Sequence, residues 1–210
     1  MDQRCILVGA GEFGRELINW SNDAHLHGIF PPLAGFIDDA PNVLDGFDYK
    51  LNYLGLISSY QPTPQDLFLL GVSNPKSKET LVVSLKSRGA KFITLIHPTS
   101  VVAKTARLGE GVILCPFSFV SADATIGDFV TINCFSGAGH DVILGDYTTL
   151  SAHVDLTGHV KCGHSVFFGT GAKVLPHVSI GNSAKIGAGA LIVRSVAENS
   201  TMFANPAKKL

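Results

Sequence analysis

No run in the 210-residue chain approaches the ~18 uninterrupted apolar residues of a membrane span. The N-terminus opens on a strand-like segment and carries no leader pattern, so a cytoplasmic protein without a membrane partner is expected. Excess charge is missing as well. A formal net charge of −1, with both signs scattered, offers no basic face to nucleic acid or anionic lipid. The four cysteines, Cys5, Cys115, Cys134 and Cys162, show no C-x-x-C spacing and fit reduced, individually placed thiols. What remains as a partner is a small molecule or another copy of the chain.

Glycine is where the sequence becomes specific. Residues 6–16, ILVGAGEFGRE, contain Gly9, Gly11 and Gly14 in the order G-x-G-x-x-G, between a buried strand (4–8) and a helix opening (11–20). Gly9 and Gly11 allow a tight turn and a close approach to phosphate, and the first N–H groups of the helix attract negative charge. A second strand, 33–37, ends in Asp38-Asp39, 24 residues past Gly14 and within reach of a ribose. The fingerprint alone does not name its ligand. A strand from Asp66 to Val72, a helix from Ser77 to Arg88 closed by Gly89, and a strand from Lys91 to Ile96 complete an α/β domain over 1–97. This is about half of a full dinucleotide-binding domain, without the second half and catalytic domain that a dehydrogenase needs, so NAD is not expected.

From residue 98 the pattern changes to a period of six. Every sixth residue from Val102 through Leu108, Leu114 and Val120 to Ile192 is apolar. At 46% hydrophobic content, independent placement of sixteen such residues would occur about four times in a million. The position four further on, from Ala106 to Val196, is small or β-branched throughout. Neither an α-helix nor a hairpin sheet satisfies this period. A parallel β-helix does, with three hexapeptides per triangular coil and residues 18 apart stacked at the ~4.8 Å strand spacing. No hexapeptide is interrupted, so no excursion loop is expected.

The stacking register sorts the histidines. His164 shares a column with Glu110, Asp128, Asp146 and Asn182 and reads as a turn residue. His140 shares its column with Ala122, Gly158 and Pro176, small or stiff neighbours that leave room for an imidazole. Asp141 stacks between Asp123 and His159, with His177 beyond, so carboxylates and imidazoles converge along one side.

The repeat resembles the left-handed β-helix, hexapeptide-repeat acyltransferases. With its half-size Rossmann-like front domain, the chain is similar to their sialic-acid O-acetyltransferase and nucleotide-aminosugar N-acetyltransferase branch. The segments that carry this are GAGEFGRE, Gly71-Val72-Ser73-Asn74, Ile96-His97-Pro98, Gly139-His140-Asp141 and Asn205-Pro206-Ala207-Lys208. The resemblance, and not the period, implies the left hand. It further implies a homotrimer with acetyl-CoA lying between neighbouring β-helices, and acetyl transfer to an amino group, at C4 of a nucleotide-linked 4-amino-4,6-dideoxysugar, for surface polysaccharide or glycan synthesis.

Under this resemblance His140 is the general base and Asp141 the residue that orients it. Substrate contacts fall at Gly9, Gly11, Glu12, Phe13, Gly14, Asp38, Asp39, Ser73, Asn74 and Asn133. Cofactor contacts fall at Thr149, Gly169, Thr170, Gly187, Ala188, Ala204, Asn205, Pro206 and Lys208. Thr149 stands where related enzymes are expected to carry a second histidine. Phe117, Phe119, Phe135 and Phe167 are outward apolar residues that a monomer would expose. The alternatives are a sialic acid O-acetyltransferase, a zinc carbonic anhydrase-like protein using His153, His159 and His177, and a scaffold without chemistry. No metal is expected under the favoured reading.

Overall fold

The computed structural model describes residues 3–204 and divides into two compact units, Met1–Pro98 and Thr99–Leu210. Asn205, Pro206 and Lys208, expected at the cofactor, lie outside the described residues.

The first unit is built on a parallel sheet of β1 (Arg4–Val8), β2 (Leu33–Ile37), β3 (Tyr53–Gly55), β4 (Asp66–Leu70) and β5 (Lys91–Phe92) in the order 3-2-1-4-5. Central β1 is fully buried from Cys5 to Val8, which explains its unbroken apolar run. Helix α1 (Glu12–Leu26) follows it, turning Gly14, Leu17, Ser21 and Ala24 inward. The helix runs past the expected end at 20 and stops where Gly28 adopts φ 72°. Helix α2 spans Pro75–Lys86 and begins earlier than expected, because Asn74 caps it through Oδ1 from the Ser77 N–H (3.1 Å) and Pro75 takes the first turn. The expected strand 91–96 is broken into Lys91–Phe92 and Leu95–Ile96.

In this strand order the chain leaves β1 toward β2 on one side and returns to β4 on the other. The carboxyl ends of β1 and β4 therefore form a topological switch point, where open α/β sheets bind ligands. The two loops there interlock through glycine. A Cβ on Gly14 or on Gly71 would collide with the Gly9 carbonyl, and Gly9 itself sits at φ 81°.

The second unit is a parallel β-solenoid of the left-handed type. Two-residue strands recur every six residues from Val101–Val102 to Leu191–Ile192 and stack 18 residues apart into three sheets, as in Phe119↔Gly137 and Ile132↔Leu150. From Leu114 to Ile192 the second residue of each strand is buried, and it forms the core together with the small series from Val112 to Ala190. Each such large side chain contributes about 1.5–3 kcal/mol by burial.

Corners are made by one residue in six. Every sixth position from Gly111 to Gly189 has positive φ, most of them without glycine: Phe117, Asp123, Phe129, Phe135, Asp141, Tyr147, His153, His159, Ser165, His177 and Ser183. Left-handed backbone costs an L-residue roughly 1–2 kcal/mol, offset here by inter-coil hydrogen bonds and stacked side chains. At one corner Asp128 accepts from the Glu110 N–H (2.8 Å), Asp146 from the Asp128 N–H (2.8 Å) and Asn182 from the His164 N–H (3.1 Å). His164 is thus an exposed turn residue held by its backbone.

Among the described residues the period fails once. Val196 pairs with Ile180, 16 residues before it, and Thr201 with Lys185, also 16 apart, so the last coil is two residues short. Val196, assigned to the small series, occupies a rung position.

Candidate active site

One solenoid corner gathers a carboxylate and two imidazoles. Strand Gly137–Ala138 delivers the chain to Gly139, His140 and the left-handed Asp141 (φ 60°), and the corner is pinned from both sides. The Asp141 N–H donates to the Ala122 carbonyl (3.0 Å), and the His140 carbonyl accepts from the His159 N–H (3.0 Å). The backbone turn aims the two side chains outward beside each other, and His140 Nδ1 meets Asp141 Oδ2 at 2.8 Å.

That contact fixes the tautomer. With Nδ1–H donating to the carboxylate, Nε2 keeps its lone pair and is free to take a proton. The hydrogen bond from His140 also holds the Asp141 carboxyl below its ordinary range, with the nearby His159 adding to the effect. The histidine side chain is 61% exposed and the aspartate 45%, so the pair is open to a substrate.

The imidazole column expected from the stacking register is present. His159 Nε2 lies 3.8 Å from the same Asp141 Oδ2, its ring meets that of His140 edge to face at 5.1 Å, and His177 stacks on it at 4.7 Å. Among the described residues, His140, Asp141 and His159 bring potential ligand atoms within 4.8 Å of one another, a set that could hold a cation. The trio His153, His159 and His177 does not assemble within the chain. His153 stands at another corner, stacked on Phe135 at 5.0 Å, which in turn stacks on Phe117 at 5.1 Å.

Other expected residues are distributed as follows. Asn133 stands one corner before His140, with its side chain turned onto its own backbone, accepting from the Cys134 N–H at 2.6 Å. Among the expected cofactor contacts Thr170 and Ala188 are exposed, Gly187 and Ala204 half-buried, and Gly169 and Thr149 buried. A Cβ on Gly169 would strike the backbone of Ala188, so this glycine lets the coils approach.

In the first unit, Gly9, Gly11, Glu12, Phe13 and Gly14 gather at the switch point with Ser73 and Asn74. A Cβ on Gly11 meets nothing within 4 Å, which leaves open space at the helix N-terminus. Asp38 accepts from the Ala10 N–H (2.9 Å) and the Ala40 N–H (2.8 Å), and Asp39 from the Ser58 N–H (3.1 Å) and hydroxyl (3.0 Å). Both carboxylates thus organise loops, Asp38 the glycine loop itself. Arg15, which no sequence motif singles out, places its guanidinium 4.0 Å over the Phe47 ring.

No family model matches the chain. Over 115 residues it is 34% identical to UDP-N-acetylbacillosamine N-acetyltransferase of Bacillus subtilis (strain 168), covering 51% of this chain and 49% of that protein. Over 113 residues it is 31% identical to GDP-perosamine N-acetyltransferase of Escherichia coli O157:H7, covering 52% and 50%. The matches thus span about half the length of these curated relatives.

Solved structures extend the likeness. A histidine variant of perosamine N-acetyltransferase from Caulobacter crescentus, in complex with CoA and GDP-perosamine, superposes with a TM-score of 0.84 at 26% identity, covering 94% of this chain and 92% of that one. The acetyltransferase domain of PglB from Neisseria gonorrhoeae, in complex with acetyl coenzyme A, gives 0.84 at 25% identity over 100% of both. By fold along its length and by sequence over half of it, the chain is similar to N-acetyltransferases that act on nucleotide amino sugars.

Proposed function

We propose that the protein transfers the acetyl group of acetyl-CoA to the amine of a nucleotide-linked amino sugar, with a 4-amino-4,6-dideoxyhexose as the favoured acceptor. The observation that carries this reading is the His140–Asp141 pair, 2.8 Å apart and exposed on a solenoid corner, in a fold whose solved relatives hold CoA and a sugar nucleotide. His140 Nε2 removes the proton as the amine nitrogen attacks the thioester carbon; the carbon–sulfur bond breaks and the proton ends on the departing thiol. Asp141 steadies the imidazolium formed between these events. The products are an amide and free CoA.

The first unit, over 1–97, is read as a Rossmann-like sugar-nucleotide domain, its glycine loop receiving phosphate at the N-terminus of α1. The solenoid from 98 onward supplies the acyl-transfer site, with Thr170, Gly187, Ala188 and Ala204 as cofactor contacts. Phe117 and Phe135, 56% and 54% exposed and stacked on one another, support a homotrimer in which copies cover that corner. Among the described residues no helix is long and apolar enough to cross a membrane. The reading places the reaction in the cytoplasm, in the synthesis of a surface glycan.

The test is a panel of UDP-, dTDP- and GDP-linked amino sugars with CMP-sialic acid, assayed with acetyl-CoA for thiol release. Turnover confined to an amino-sugar nucleotide is expected. Turnover only with the hydroxyl acceptor, or none with any, overturns the assignment.

A further inference from the structure

Gly158 lies in the same column as His140, one coil on, and the other members of that column, Ala122 and Pro176, carry a Cβ. Its backbone does not explain the glycine, since Gly158 is absent from the residues of positive φ. Crowding by backbone does not explain it either. A Cβ built on Gly139, Gly145 or Gly169 meets backbone atoms of the next coil, but on Gly158 the three nearest atoms all belong to the His140 ring. Cε1 and Nε2 fall inside van der Waals contact and Nδ1 lies at 3.1 Å. The imidazole therefore occupies the volume that any other residue at 158 would fill.

We infer that Gly158 is the positioning residue for His140: the missing Cβ lets the ring lie over the next coil with Nδ1 on Asp141. The catalytic part of this inference rests on the proposed acetyl transfer, whereas the geometric part does not. The nearest atoms to an added methyl all belong to the far end of a flexible side chain, so in Gly158→Ala the ring swings and the coil stays. Asp141 Oδ2, 2.8 Å from His140 and 3.8 Å from His159, is then left to the second imidazole.

The experiment compares wild type, Gly158→Ala, His140→Ala and the double variant. In Gly158→Ala the melting temperature is expected to stay within a few degrees of wild type. Its kcat should fall about 10- to 10²-fold, the scale of a 1 Å misplacement of a catalytic group, with KM for acetyl-CoA unchanged within about twofold. In ¹⁵N-edited spectra of the imidazoles the Nδ1–H bond of His140 to Asp141 should be lost. The double variant should be no slower than His140→Ala. An inactive His140→Ala beside a Gly158→Ala within threefold of wild-type kcat overturns the positioning role, and so does an unchanged His140 spectrum. Full activity in His140→Ala refutes the assigned base instead, leaving the spectrum as the test of geometry. Should Gly158→Ala fail to fold, the double variant must fold, because the ring is gone; its failure would overturn the inference.

Discussion

Replacing Gly11 by valine tests the glycine loop with little collateral damage to the fold. A Cβ there meets nothing within 4 Å, and φ of −67° is open to any L-residue. The structural cost is confined to the N-cap of α1, where valine is a poorer residue than glycine, about 1 kcal/mol. For a unit of about 100 residues that lowers Tm by roughly 4–8 °C. Ligand binding should suffer more. The isopropyl group fills the space into which the first N–H groups of the helix point, and losing one charge-assisted hydrogen bond of about 1.5–3 kcal/mol corresponds to roughly 10- to 10²-fold in affinity. The expected outcome is a KM for the sugar nucleotide raised by that factor, with the dissociation constant of acetyl-CoA held within about twofold by calorimetry. A KM that does not move, or tight NAD binding to the wild type without heat from any sugar nucleotide, refutes the reasoning.

His140→Ala is expected to lower kcat by about 10²–10⁴ with both substrates still bound, and Asp141→Asn to cost less, because the amide still accepts from Nδ1 and loses only the charge; steady-state kinetics checks both. The depressed carboxyl of Asp141 contributes stability that is present above the ordinary carboxylate pKa of ~3.9 and is lost as pH falls through the depressed value. Melting curves of wild type and Asp141→Asn should therefore converge on acidification below about pH 4. Phe168→Ala, in a core position with no exposure, should destabilise the solenoid by about 3–5 kcal/mol in denaturant titrations. Substituting serine at both Phe117 and Phe135 should shift sedimentation equilibrium from three chains toward one, and an unchanged mass would remove that corner from the interface.

The solenoid was legible because its constraint is local and repeated: a buried residue in every strand and a left-handed corner one hexapeptide apart leave a period no other fold demands. The period could not announce its own failure at Val196, since valine suits both the small position and the rung. In the first unit, β1 and β2 were legible from their apolar runs. Strand β3 was not, because Tyr53–Gly55 is extended only through its pairing with β2, in a stretch with no period of its own. The start of α2 is written in Asn74-Pro75, a cap followed by proline, which precedes the apolar pattern and is invisible to it. His140 and Asp141 could be placed on one corner from the 18-residue stack. The roles of Asp38 and Gly158 could not, since one depends on a loop folding back to a carboxylate and the other on where a ring leans.

Translational sameness of the coils has a consequence for how such a site could move. One coil earlier the corner reads Ala122-Asp123, with Asp123 already at φ 60° as Asp141 is. Ala122→His would supply the ring, and His140→Gly would vacate the volume that ring must enter, while removing the proposed base. Two substitutions would thus slide the reactive pair one rung along the axis without touching a core residue. Location of the proposed chemistry is in this sense an address on a ladder, set by a histidine and by a gap above it.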